Sequence, residues 1–253
     1  MKLLRLLMGM PITVEVVDPQ VSGEDIEKIF SYFAHVDQTF STYKKDSEIS
    51  RLNDGCLTEA QCSDDVREVL KLSEETKRIT DGYFDIRESS GKIDPAGLVK
   101  GWAIRNAATM LERAGFENFY VEAGGDIQVR GRNSHGEIWR VGIRDPFMKD
   151  RIVKVVALDG LGIATSGTYI RGQHIRNPHA AGPITDIVSL TVIGPDVYEA
   201  DRFATAAFAM GRKGIEFLEE RPGLEGYMID AAGTATMTSG FPSLTSSYAA
   251  PDR

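Results

Sequence analysis

The sequence predicts an α+β fold in which mixed or antiparallel sheets pack against helices. Three observations carry this: one strand pattern near the start followed by three helical ones, a middle third in which strand patterns succeed one another, and two late helices before a closing strand. Helices and strands gathered into separate runs point away from a repeating βαβ sheet. No internal repeat or Pro/Ser-rich linker divides the 253 residues, so 1–253 is expected to form one domain, near the upper size of a single core.

Taken in order, Ile12, Val14 and Val16 alternate with Thr13, Glu15 and Val17, the period of a half-buried strand. Apolar residues then recur at helical spacing over 21–40. Residues 41–57 are rich in Ser, Lys, Asp and Asn and are predicted as loop. Residues 64–80 form the next helix, with Ser63 as its N-cap and Thr80-Asp81-Gly82 as its end. A third helix is expected over 98–114, stopping at Gly115. Strands follow at 119–129, 138–143, 152–158, 161–165 and 188–193, helices at 196–210 and 213–220, and a last strand at 226–230. Beyond Thr236 the chain is Ser-, Thr- and Pro-rich and is expected to be partly loose.

Composition excludes several classes. Lys+Arg at 29 against Asp+Glu at 37 gives a net charge of −8, which repels a phosphate backbone, and no basic cluster offsets it; no nucleic-acid partner is expected. Residues 1–10 hold too few apolar positions for the roughly 20 that span a bilayer. They lack the cleavage site of a signal peptide and a nearby cysteine for a lipid, so a cytoplasmic protein without a membrane anchor is expected. Cys56 and Cys62 lack CxxC spacing and read as ordinary thiols.

Four local patterns bear on chemistry. Asp201 and Thr205 lie four apart in a predicted helix and therefore share a face. A carboxylate and a hydroxyl together offer the hard oxygen donors that Mg²⁺ prefers. Equally, Asp201 could serve only the helix dipole, a contribution of about 0.3–1 kcal/mol. In residues 93–103, Asp94-Pro95-Ala96-Gly97 makes a small-residue turn into a helix, with Lys100 one turn inside; a phosphate or metal could approach there, though Asp94 as N-cap and Pro95 as first helical residue explain the pattern as well. His174 follows the Ser/Gly turn Thr165-Ser166-Gly167-Thr168 and could act as a base or contact phosphate. Glu122-Ala123-Gly124-Gly125-Asp126 is sufficiently explained as a hairpin with glycines at positive φ.

The order of these patterns is more specific than any one of them. Met8-Gly9, Phe40-Ser41-Thr42-Tyr43, the run 47–53, Asp81-Gly82-Tyr83-Phe84-Asp85-Ile86, the run 94–103, Glu122 to Asp126, Thr165 to Tyr169 with His174 to Pro178, and Ala200 to Thr205 occur in this sequence. The chain thus resembles the FAD:protein FMN transferases, the ApbE family once described as thiamine-biosynthesis lipoproteins, from Met8 to about Gly211. The resemblance implies a core related to the tunnelling-fold class and an FAD diphosphate beside Mg²⁺, the metal being held by Gly97, Asp201 and Thr205. It carries flavin contacts onto Met8, Tyr43, Tyr83, Phe84, Asp85, Asp94, Lys100 and Ile175.

The implied reaction is attack by a Thr or Ser hydroxyl of an acceptor flavoprotein on the FMN-side phosphorus of FAD, releasing AMP, with His174 as the base. A Mg²⁺-dependent FAD pyrophosphatase, or a protein that stores FAD without turnover, would use the same site. Three departures from the family's pattern stand out: no lipoprotein signal, a shortened segment between Asp85 and Asp94, and Asn177 where Asp usually precedes Pro.

Overall fold

The computed structural model describes residues 1–88, 90–148, 150–168, 175–180 and 182–245. In chain order the elements are β1 (Lys2–Leu7), β2 (Met10–Val16), α1 (Gly23–Phe40), α2 (Glu48–Asn53), α3 (Asp64–Ile79) and α4 (Ala96–Arg113). Then come β3 (Phe119–Ala123), β4 (Asp126–Arg130), β5 (Trp139–Arg144), β6 (Ile152–Leu158), β7 (Gly162–Gly167) and β8 (Ile187–Gly194). Last are α5 (Val197–Ala209), α6 (Gly214–Glu219), β9 (Glu225–Asp230) and β10 (Ala235–Met237).

Eight strands form one sheet in the order β1-β2-β3-β4-β7-β8-β9-β10, and each neighbouring pair is antiparallel. β5 and β6 form a separate antiparallel hairpin. The α+β class with antiparallel sheets is the one the sequence predicted.

Side chains alternate across each strand, so the two faces of the sheet bury different cores. Ile12, Val14, Val16, Phe119 and Val121 face Phe30, Phe33 and Trp102 of the helices. Leu190, Val192 and Met228 continue that face against Phe203, Phe208 and Leu218 of α5 and α6. Ile193, Tyr227 and Ile229 point the other way, toward Trp139, Val156 and Leu158 of the β5–β6 hairpin.

Four expectations are corrected. The polar run 41–57 contains α2, because the Ser47 oxygen accepts the Ser50 N–H at 3.0 Å and the Ser47 hydroxyl donates to the Ser41 carbonyl at 2.7 Å. Loop-like composition here is cap chemistry. Residues Lys2–Leu7, read only as a short apolar stretch, pair with β2 as an edge strand whose Leu4 and Leu6 stay exposed, so no alternation marked it. The predicted strand 119–129 folds back at Gly124 and Gly125, whose φ values of +59° and +100° split it into β3 and β4. The tail is packed as far as residue 245, with residues 246–253 outside the described ones: Phe241 is fully buried and stacks on Tyr227, and Thr238 accepts the Gly226 N–H at 3.0 Å.

Candidate active site

The site is built where α4 meets α5. A Cβ on Gly101 would lie 2.7 Å from Asp201 Cβ and 2.9 Å from the Val197 carbonyl, so only glycine lets these helices touch. α5 starts at Val197 behind the Asp196 cap, which accepts the Glu199 N–H at 2.9 Å. Asp201 therefore sits in the second turn and is only 3% exposed, which removes the reading of it as a first-turn dipole partner. At the other helix start, Pro95 takes the N-cap position expected of Asp94, and Asp94 Oδ1 accepts the Ala96 N–H at 3.1 Å.

Around Asp201 two buried carboxylates and a partly buried lysine form a triad of charges. Asp201 Oδ2 accepts the Gly101 N–H at 2.8 Å, and Lys100 Nζ lies 3.5 Å from Asp201 Oδ1. Lys100 Nζ is closer, at 2.5 Å, to Oδ2 of Asp126, the first residue of β4. Asp126 Oδ1 accepts the Thr165 N–H from β7 at 3.0 Å. Burial pushes the Asp201 carboxyl up to about 7; Lys100 opposes the rise, Asp126 adds to it, and the Gly101 N–H opposes it again.

Beside this triad, Thr205 Oγ1 lies 3.5 Å from the Gly97 carbonyl oxygen. A Cβ on Gly97 would be 3.4 Å from both Phe84 Cε2 and Thr205 Cγ2, so Gly97, Phe84 and Thr205 form one contact group. The helix-face argument for Asp201 and Thr205 and the small-residue turn at Gly97 thus meet in space. A carboxylate, a hydroxyl and a carbonyl are hard donors, and their number suits a cation that fills its remaining positions with water or phosphate oxygens. Among the described residues no group of three or more His, Cys, Asp or Glu side chains forms a self-sufficient metal cage. A divalent hard cation fits this donor set.

The other predicted contacts distribute around it. Phe84 is buried, and its N–H donates to Thr80 Oγ1 at 3.1 Å. Tyr83 and Ile175 both pack at the margin of the α5 core. The Tyr83 ring meets His179 edge-on at 4.5 Å, and His179 Nε2 is 2.7 Å from the Asp81 carbonyl. Asn177 Oδ1 accepts the His179 N–H at 2.9 Å, so the amide does locally what an Asp could. Asp85 pairs with Lys77 at 2.7 Å. Met8 has a positive φ of 53° and packs against the α1–α4 core.

Tyr43 and Asp94 line a recess of about 250 Å³ with Lys45, Asn53 and Lys92. The recess wall is pinned by Asn53, whose amide exchanges hydrogen bonds of 2.7 and 2.9 Å with Ile93. Tyr43 stands at 96% exposure on its rim. His174 lies outside the described residues. The short segment between Asp85 and Asp94 closes on itself through the Arg87–Ile93 bridge.

Sequence reasoning missed Asp126. Its glycine turn had a sufficient local explanation, and the lysine it meets belongs to another element.

Fold and site define a class: an antiparallel α+β protein with a lysine–carboxylate triad beside a carbonyl and a hydroxyl oxygen. The chain belongs to the ApbE family, whose pattern it matches over residues 8–90 and 86–228. It is 28% identical to the FAD:protein FMN transferase of Escherichia coli K12 over 284 residues, covering 88% of this chain and 81% of that one. Against the protein of the same name from Vibrio cholerae it is 27% identical, covering 78% and 76%. Its fold matches the flavin transferase ApbE from Vibrio cholerae with a TM-score of 0.84 at 24% identity, over 96% of this chain and 98% of that one. The ApbE protein from Thermotoga maritima matches with a TM-score of 0.85 at 20% identity, over 97% and 99%. Among the described residues no helix is long and apolar enough to cross a membrane.

Proposed function

We propose that this protein is an FAD:protein FMN transferase, moving the FMN part of FAD onto a Thr or Ser hydroxyl of an acceptor protein and releasing AMP. Membership of the ApbE family and relatives of that name support the activity. The observation that carries the site is the Lys100–Asp126–Asp201 triad beside the Gly97 carbonyl and Thr205 hydroxyl. In this reading Gly97, Asp201 and Thr205 hold Mg²⁺, which when bound neutralises charge on phosphate oxygens.

Lys100 presents its ammonium to the FAD diphosphate as a point charge reaching from α4 toward Asp126 of β4. The recess bearing Tyr43 and Asp94, together with Met8, Tyr83, Phe84, Asp85 and Ile175, takes the rest of the dinucleotide. The acceptor oxygen forms a bond to the FMN-side phosphorus while the bond from that phosphorus to the AMP phosphate oxygen breaks. AMP departs with the electron pair, and His174 accepts the hydroxyl proton. We place the protein in the cytoplasm; Cys56 and Cys62 are both free thiols, which suits a reducing compartment.

The test is the intact mass of a candidate acceptor incubated with this protein, FAD and Mg²⁺. A gain of one FMN group with stoichiometric AMP is the expected result. Free FMN and AMP without any gain would make the protein a hydrolase, and intact FAD would make it a binder. His174→Ala should lower turnover by about 10²–10⁴-fold while FAD affinity stays within a few-fold; unchanged turnover would remove His174 from the reaction.

A further inference from the structure

Asp126 is fixed more firmly than a hairpin residue needs to be. It follows the Gly124-Gly125 turn, in which Glu122 Oε1 accepts the Gly125 N–H at 3.0 Å, and its side chain is 2% exposed. One carboxylate oxygen is clamped by the Thr165 N–H, and Thr165 is tied in turn to Thr191 across β7 and β8 by a hydroxyl contact of 2.9 Å. The other oxygen meets Lys100 at 2.5 Å, closer than Asp201 does at 3.5 Å. Three rigid elements, β4, α4 and α5, therefore each contribute one charge.

We propose that Asp126 is a positioning residue: it draws the Lys100 ammonium off the Asp201 carboxylate, leaving Asp201 free for the cation and Lys100 aimed at the incoming diphosphate. This rests on the transferase reading and adds a residue to it. Two carboxylates against one ammonium leave the triad with a single net negative charge, which attracts a divalent cation. With that cation bound the sign reverses, and the site then attracts the diphosphate. Without the Asp126 anion, Asp201 is the carboxylate of the triad that remains for Lys100, whose ammonium then neutralises the charge that the metal needs.

Asp126→Asn is the informative change, because the amide keeps an oxygen for the Thr165 N–H while the charged oxygen that faces Lys100 becomes an uncharged NH2. FAD binding, followed by quenching of flavin fluorescence across a Mg²⁺ series, reads the effect without turnover. The Mg²⁺ concentration for half-maximal FAD binding should rise by about 10- to 100-fold, as for groups that orient a metal ligand. In a Lys100→Met background the same substitution should add no more than about twofold, since the residue acts through Lys100.

An unchanged Mg²⁺ requirement, or an equal shift in both backgrounds, overturns the proposal. If Asp126→Asn alone does not fold, a folded double variant with the metal response of Lys100→Met supports it. Failure to fold in both backgrounds makes Asp126 a strand clamp only and overturns it. Wild-type FAD binding that ignores Mg²⁺ would instead strike the metal assignment on which this inference rests.

Discussion

Asp201 and Arg202 are neighbours on α5, both buried, and the protein treats them in opposite ways. The Arg202 guanidinium is bonded twice to Glu199, at 2.6 and 2.8 Å, and once to Thr76 at 3.0 Å. The rings of Tyr198 and Phe203 cover it at 4.9 and 4.6 Å, although its Nε finds no acceptor among the described residues. Asp201 shares Lys100 with a second carboxylate that lies nearer to that ammonium. Arg202 is thus paired and capped by aromatic rings, as suits a charge that serves the fold, whereas Asp201 is left beside other oxygen donors, as the proposed ligand role requires.

Substitutions at the two positions should therefore separate activity from stability. The largest effect expected is on turnover in Asp201→Ala, a fall of at least about 10³-fold at any Mg²⁺ concentration, because the only carboxylate in the donor set is gone. Its fold should survive: the Gly101 N–H loses its acceptor, at about 1–3 kcal/mol, but a poorly neutralised buried charge is removed as well. That is a larger structural stake than the dipole contribution expected for a residue at a helix start. Arg202→Met should reverse the pattern, losing about 2–3 kcal/mol of stability while turnover per folded molecule stays within a few-fold. Denaturant unfolding and FAD cleavage measured on both variants check the contrast; comparable losses of activity in both would erase it.

The acid–base behaviour of Asp201 sharpens the comparison. Its folded value of about 7 stands above the ordinary carboxyl value of 3.8. A raised carboxyl contributes stability that is fully present below about 3.8 and is lost as pH rises through about 7. Metal-free Asp201→Asn should thus gain on wild type in melting temperature between about pH 4 and 7. Apparent Mg²⁺ affinity of the wild type should fall about tenfold per pH unit below 7, since the cation needs the carboxylate. A flat affinity between pH 5 and 8 would contradict this. The smallest effect concerns Asn177→Asp, which keeps the oxygen that accepts the His179 N–H and should alter stability by less than about 0.5 kcal/mol in thermal melts.

The same contrast explains what was legible in the sequence. Spacing placed Asp201 and Thr205 on one face because a helix has a fixed period, and Gly115 and Asp81-Gly82 marked helix ends through their backbone freedom. The antiparallel class followed from runs of strands. Gly101 carries its meaning only once α5 lies against it, and Asp126 only once Lys100 arrives from another element. The hydrogen bonding of Arg202 likewise depends on α3, which supplies Thr76. Local pattern could not reveal β1 either, since an edge strand with exposed leucines on its open side lacks a two-residue alternation.

In the proposed reaction the Asp201 face of α5 takes a cation and a dinucleotide diphosphate together. Affinities for FAD and FMN, measured by fluorescence quenching with Mg²⁺ and with a chelator, test it most directly, because FMN lacks the diphosphate. FAD should bind at least about tenfold tighter than FMN when Mg²⁺ is present. That preference should vanish on chelation and in Asp201→Asn. Equal affinities with Mg²⁺ present, or a preference for FAD that survives the loss of Asp201, would contradict the account.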